Sequence, residues 1–238
     1  MRQLLISGAK DFNIVLSDEQ VNQFFRYKEL LQDWNTRMNL TAITEDREVM
    51  TKHFLDCMSI HEAIDMNTQK TLIDVGTGAG FPGMVLKIAF PHIEVTLVDA
   101  LKKRLNFLET VISELNLSGI VCVHSRAEDL GKNKAYREKF DICASRAVAN
   151  LAVLSEYTLP FVKVNGYMMA LKGQKLDDEL EQSKKAISIL GGELEAIVDA
   201  AIPFTDLNHK IAKIKKIKPT ASQYPRKAGN PAKAPLGV

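Results

Sequence analysis

The chain is short of cysteine, tryptophan and long apolar runs, and each shortage narrows what it can be. Its 238 residues hold three cysteines and one tryptophan. Cys57, Cys122 and Cys143 form no C-x-x-C pair and leave an odd thiol over, which argues against a disulfide framework and against a zinc cluster. Three reduced thiols behaving as small hydrophobes fit a reducing, cytoplasmic setting, and no metal is expected. No stretch approaches the roughly 18 uninterrupted apolar residues of a membrane span. The apolar run in MRQLLISGAKDF reads as too brief for a secretory signal.

A further shortage is of acid at one end. From His209 to Val238 there is no Asp or Glu, while eight of the 31 Lys/Arg fall there; residues 1–208 are left with 23 basic against 29 acidic groups, a balance of −6. The net charge of +2 thus hides an acidic body and a basic tail, an arrangement suited to a polyanionic partner approached from one side.

What is present is 46% apolar residues, enough to bury a core. Three regions follow. Residues 1–66 read as an N-terminal helical region. Ser17-Asp-Glu-Gln20 is a capping-box start, followed by Val21, Phe24, Phe25, Leu31 and Trp34 at helical spacing. Thr44 is placed to cap a second helix, whose apolar face carries Val49, Met50, His53, Phe54, Cys57, Ile60 and Ile64. On that face His53 reads as a satisfied core histidine. Residues 67–218 alternate. Strands are expected at 71–75, 93–99, 120–124, 140–145 and 166–172, and helices at 82–90 with Pro82 first, 101–115, 150–161 and 175–190. ELEAIVDA (193–200) and HKIAKIKKIK (209–218) read as strands returning to the sheet edge, although Ile211, Ile214 and Ile217 recur every three residues rather than two. Such alternation predicts an α/β fold with a doubly wound, mostly parallel sheet. Residues 219–238, with four prolines, read as an extended or irregular basic tail.

The stretch Asp74-Val-Gly-Thr-Gly-Ala-Gly-Phe-Pro-Gly83 is the first strand-to-helix turn, where doubly wound sheets bind ligands. A nucleoside-triphosphate loop would need Lys-Ser/Thr after its last glycine, and here Met84-Val85 follow. A dinucleotide reading matches G-x-G-x-x-G over residues 78–83, but Pro82 removes an amide and Asp74 would repel a pyrophosphate. S-adenosylmethionine carries no phosphate and bears positive charge, so it suits a nearby carboxylate. The cofactor loop is then Gly76, Gly78 and Gly80. Asp99, ending the second strand, is placed to accept ribose hydroxyls. Ala127 leaves room for a purine beside Glu128, and Arg146 ends the fourth strand at the mouth of the cleft. Arg146 could meet either the cofactor carboxylate or the acceptor, with the cofactor preferred; Lys172, after the fifth strand, is a second cleft candidate. No general base stands out.

DVGTGAGFPG, VDALKKRLNFL, SRAE, SRAVANL, ALKG and YPRKAGNPAKAPL, with WNTRMNLTAIT and KHFLDCMS upstream, resemble the bacterial 16S ribosomal RNA guanine-N7 methyltransferase family, also called glucose-inhibited division protein B. The likeness covers roughly residues 30–238. It implies a class I S-adenosylmethionine-dependent methyltransferase fold, Rossmann-like, behind a small helical region. The implied activity is methylation of N7 of one guanine in 16S ribosomal RNA, free or in a small-subunit particle. The implied cofactor contacts are Gly76, Phe81, Ala127, Glu128 and Arg146, and the tail residues Tyr224, Arg226, Lys227 and Lys233 become candidate RNA contacts. Cys57 departs from the Ser more usual after the Asp of H-x-x-D. A ring nitrogen with a free lone pair has no proton to lose, in keeping with the missing base. The marks of pyrimidine-C5 or exocyclic-amine methylation are absent: the cysteines lie in apolar runs, and Ser145-Arg146-Ala147 follows the fourth strand.

Overall fold

A computed structural model describes residues 1–146, 148–173 and 176–237. Lys175, the expected start of a helix, and Val238, the last residue of the tail, lie outside them. The first strand, β1 (Thr71–Val75), is an apolar run with no polar alternation, which suits a strand covered on both faces. It pairs in parallel with β2 (Glu94–Asp99) on one side and β4 (Phe140–Arg146) on the other. β3 (Ile120–His124), β5 (Val162–Lys172), β6 (Gly192–Ala201) and β7 (Asn208–Lys216) complete a seven-stranded sheet of order β3-β2-β1-β4-β5-β7-β6. Only β7 runs antiparallel to both of its neighbours.

Neighbouring residues along each central strand feed opposite faces. Leu72, Ile142, Ala144 and Met169 join one core, and Ile73, Cys143, Met168 and Ala170 the other. The three-residue recurrence in β7 is resolved the same way. Ile211 packs on the first face, Ile214 on the second, and Ile217 lies beyond the strand, half exposed. The register slips between Leu194 and Ala196 of β6, so a bulge at Glu195 absorbs the mismatch.

The first core is shared with the N-terminal helices α1 (Arg2–Asp11) and α2 (Asp18–Asn35). The capping box forms as expected: Ser17 Oγ accepts from Gln20 N at 3.2 Å, and Gln20 Oε1 accepts from Ser17 N at 2.8 Å. Gln20 Nε2 also donates to the carbonyls of Ile88 and Ala89, tying α2 to the end of α6 (Gly83–Ala89). The second expected helix starts at Asp46, after Glu45 rather than Thr44, whose carbonyl is taken by Gln32. It is broken into α3, α4 and α5 (Asp46–Glu48, Asp56–Met58 and Ile60–Ala63), with the π-helical run Val49–Leu55 between the first two. π-Helical turns concentrate at functional sites.

Helices α7 (Lys102–Glu114), α8 (Ala127–Leu130), α9 (Leu151–Thr158) and α10 (Leu176–Ile189) fill the connections. Pro82 is not the first helical residue but the N-cap of α6, and a 3-10 turn over Leu159–Phe161 ends the segment expected as one helix over 150–161. The tail is not a loose arm. It returns across the second core, with Pro225 and Pro231 buried, and forms a short helix, α11 (Asn230–Lys233). Arg137 fastens it by donating to the carbonyls of Thr220, Ala221 and Tyr224.

Candidate active site

Two cavities open at the carboxyl ends of the strands, and the end of β4 divides them: Val148 lines one and Arg146 the other. The first, of about 260 Å³, is walled by Gly76 after β1, Asp99 and Ala100 after β2, Ser125 to Glu128 after β3, and by Val148, Tyr157 and Gly229. In the glycine loop Gly76, Gly78 and Gly80 all take left-handed backbone (φ +73, +60 and +102°), where side chains are strained. A Cβ on Gly76 would lie 2.7 Å from Val148 Cγ2, and one on Gly80 2.5 Å from Tyr27 Oη. The Tyr27 hydroxyl, brought by α2, donates to the carbonyl of Ala79, so the helical region grips the loop from beneath.

Asp74 does not face the cavity. It is fully buried, and its Oδ2 accepts from Thr77 Oγ1 at 2.7 Å and from Gly83 N at 2.8 Å, stapling the loop to the start of α6. The expectation that this carboxylate selects a cationic ligand by proximity is therefore corrected: it shapes the loop. Burial pushes Asp74 up to about 6, against the opposing pull of its Thr77 and Gly83 donors. The acid of the cavity wall comes instead from Asp99 and Glu128, which are 4% and 6% exposed. Asp99 Oδ1 accepts from Leu101 N, and Oδ2 accepts from Gly78 N at 3.0 Å and from Arg104. Glu128 Oε1 accepts from Gly229 N at 3.0 Å. The bare backbone of Gly76, two buried carboxylates that take hydrogen bonds from hydroxyls and amines, and apolar walls of Val75, Val98 and Val148 fit a nucleoside.

The second cavity, of about 460 Å³, is lined by Ile43, Lys52, His53, Asp56, Arg146, Leu171, Lys172, Gly173, Leu207 and His209. Arg146, Asp56, His53 and His209 form one hydrogen-bonded network in its wall. Arg146 donates to Asp56 Oδ2 at 2.7 Å, to the Lys52 carbonyl at 3.0 Å and to His53 Nδ1 at 2.9 Å. Guanidinium has only donors, so His53 Nδ1 is unprotonated there and the proton sits on Nε2, 2.8 Å from Thr41 Oγ1. His53 is accordingly neutral: burial first, then the Arg146 charge, pushes it down to about 3. Asp56 is 1% exposed, and burial alone would raise its pKa. The His209 hydrogen bond and the Arg146 charge outweigh that and hold it below the usual carboxylate value. His209 Nδ1 donates to Asp56 Oδ1 at 2.5 Å, which raises the imidazole above its ordinary value despite partial burial. Phe81 floors this network, with the His53 ring 4.3 Å and the Arg146 guanidinium 4.9 Å from its centre.

Of the residues singled out from sequence, Gly76, Asp99, Ala127 and Glu128 meet in the first cavity, with Gly78 held on Asp99 behind them. Gly80 packs under the loop. Arg146 and Lys172 do not reach that cavity; they line the second, and Phe81 lies beneath it. Lys172 is already engaged, donating to the Ala149 carbonyl and to Glu179 Oε2 at 2.7 Å. In the tail, Arg226 forms a fork on Glu156, from Nε to Oε1 at 2.9 Å and Nη2 to Oε2 at 2.6 Å, and so points inward rather than toward a polyanion. Tyr224 packs against the second core, while Lys227 and Lys233 are exposed. Sequence reasoning missed Tyr27, Asp56, His209, Glu156 and Tyr157. The H-x-x-D spacing of His53 and Asp56, one helical turn apart, was a usable signal for the first two of the second wall; nothing local pointed to His209.

The family model described as GidB, rRNA small subunit methyltransferase G, matches residues 20–207. The chain belongs to that family. It is 52% identical over 236 residues to the ribosomal RNA small subunit methyltransferase G of Alkaliphilus oremlandii, covering 99% of each chain. It is 52% identical over 237 residues to the protein of the same name from Acetivibrio thermocellus, covering 99% of this chain and 97% of that one. Among solved structures, M. jannaschii TYW2 in complex with AdoMet aligns with TM-score 0.51 at 16% identity, over 67% of this chain and 76% of that one. The Methanococcus jannaschii fibrillarin pre-rRNA processing protein aligns with TM-score 0.50 at 17% identity, over 65% and 70%. These two likenesses concern the fold, the class I Rossmann-like methyltransferase fold expected from sequence. The family's members are described as rRNA small subunit methyltransferases, and S-adenosylmethionine is the ligand in the aligned TYW2 complex.

Proposed function

We propose that the chain methylates N7 of a single guanine in 16S ribosomal RNA, holding S-adenosylmethionine in the first cavity and the acceptor base in the second. The observation that carries this reading is the pair of cavities sharing the end of β4, one with the hydrogen-bonding character of a nucleoside site and one polar, wider and cationic. Gly76, Asp99, Ala127 and Glu128 are the residues that would hold the cofactor, which when bound supplies an electrophilic methyl group on a positively charged sulfur.

The chain's own task is then alignment. An in-line displacement gains most from holding donor and acceptor at fixed separation and angle. The second wall is built for that, because Arg146, Asp56, His53 and His209 fix one another and Phe81 backs them. Neither His53 nor Asp56 is a free base: His53 spends Nδ1 on Arg146, and Asp56 spends both oxygens. Attack by a nitrogen lone pair needs none, which favours a ring nitrogen over an amine that must lose a proton. Exposed Lys227 and Lys233, beside the first cavity's Gly229, supply positive charge for phosphates.

The test is methylation in vitro of small-subunit particles, and separately of naked 16S RNA, from cells lacking the gene. Labelled S-adenosylmethionine would be the donor, followed by borohydride–aniline cleavage to map 7-methylguanine. One new cleavage site is expected. Incorporation that leaves no aniline-sensitive position would refute N7, and no incorporation into either RNA would refute the activity.

A further inference from the structure

We infer that the tail is a working part of the cofactor site, with Arg226 and Gly229 as positioning residues for Glu128. This rests on the first cavity being the cofactor site. Three observations carry it. Gly229 lines the cavity, and its amide binds Glu128 Oε1 at 3.0 Å; among the described residues Oε2 takes no hydrogen bond, which leaves that oxygen for a ligand amine. The segment bearing Gly229 is clamped three residues earlier by Arg226, whose backbone amide, Nε and Nη2 all donate to Glu156. Glu156 is fully buried on α9, the helix that also brings Tyr157 to the cavity wall.

The physical logic is one of orientation. A glutamate has three free torsions, and a carboxylate that must accept one hydrogen bond in a fixed direction gains from having its other oxygen already held. Gly229 takes φ +83°, so its amide is aimed by a backbone turn that most residues strain to adopt. That turn is held in place by the Arg226 fork, whose planar, two-point geometry a lysine cannot reproduce. The charges of the tail therefore divide by direction: Arg226 faces in toward the cofactor side, and Lys227 and Lys233 face out.

The experiment compares wild type with Arg226→Met, Arg226→Lys and the double variant Lys227→Met/Lys233→Met. Isothermal titration with S-adenosylhomocysteine and with S-inosylhomocysteine, which carries a carbonyl in place of the adenine amine, is run on each, with thermal unfolding alongside. Both Arg226 variants are expected to bind S-adenosylhomocysteine about tenfold more weakly, the effect of losing one well-directed hydrogen bond to a charged group. Their preference for the amine over the carbonyl is expected to shrink toward unity, a change that loss of stability alone would not produce. The lysine double variant is expected to keep both affinities. Arg226→Lys binding both ligands as wild type does would overturn the proposal, and it decides the matter if Arg226→Met fails to fold. Failure of the wild-type protein to bind S-adenosylhomocysteine would instead sink the cofactor assignment itself.

Discussion

Replacing Asp74 with asparagine tests how the glycine loop is built. The carboxylate is fully buried, one oxygen accepts two hydrogen bonds, and Oδ1 has no partner among the described residues. Burial lifts its pKa from 3.8 to about 6. A group protonated more readily in the folded chain than in the unfolded one lowers stability as pH rises between those two values. The cost levels off at about 3 kcal/mol above pH 6, at 1.36 kcal/mol for each pH unit of difference. Asparagine keeps an oxygen for Thr77 and Gly83 and carries no charge, so it escapes this loss. Urea denaturation of wild type and Asp74→Asn from pH 4 to 8 is the assay. The difference in unfolding free energy, variant minus wild type, is expected to rise by about 2.5 kcal/mol across that range, with most of the change between pH 4 and 6. A difference that stays flat would mean that Asp74 titrates at the same pH in the folded and unfolded chains, and the account of the loop as a desolvated carboxylate stapled from one side would fall.

Gly80→Ala puts a methyl group 2.5 Å from the Tyr27 hydroxyl at a backbone angle of +102°. A loss of roughly 2–4 kcal/mol is expected from overpacking plus backbone strain, read as a lower melting temperature with weaker S-adenosylhomocysteine binding; an unchanged melting temperature would refute the contact. His209, raised above 6.5 chiefly by its hydrogen bond to Asp56, contributes stability that is complete below pH 6.5 and fades as pH climbs through its folded value. His209→Gln is therefore expected to reduce the fall in denaturation midpoint between pH 6 and 9, and a fall as steep as that of wild type would contradict the assignment.

The sheet was legible because its signals are local. LIDV, VTLVD and DICA are short apolar runs set off by turns, and the alternation with helices left little choice of architecture. The capping box at Ser17 and the returning strands were legible for the same reason. The site was legible to the extent that residues sit at strand ends, which is why Gly76, Asp99, Ala127 and Glu128 do converge. Arg146 was placed at the right end of the right strand but in the neighbouring cavity, because a strand end borders two clefts and sequence does not say into which a side chain leans. Asp74 was misjudged for a related reason: adjacency in the loop says nothing about whether a carboxylate points at a ligand or at the next helix's first amides.

The tail carries a more general lesson about charge. Counting eight cations in thirty residues gives a sign but no direction, and the count alone favoured a free arm. The information that corrects it lies far away, in LAVLSEYT, where Glu156 sits among buried neighbours on α9. An ionised carboxylate in such surroundings is costly unless a cation is hydrogen-bonded to it. Within α9 no basic residue is available, so the partner must come from elsewhere in the chain; it is Arg226. The same demand runs through Asp56, buried in DCM and met by Arg146 and His209 from two distant strands. A charged residue inside an apolar helical stretch is thus a statement that a long-range contact exists. In this chain, two such statements fix the pieces that enclose the cavities: Glu156 draws in the tail beside the first, and Asp56 joins the helical region to β4 and β7 at the second.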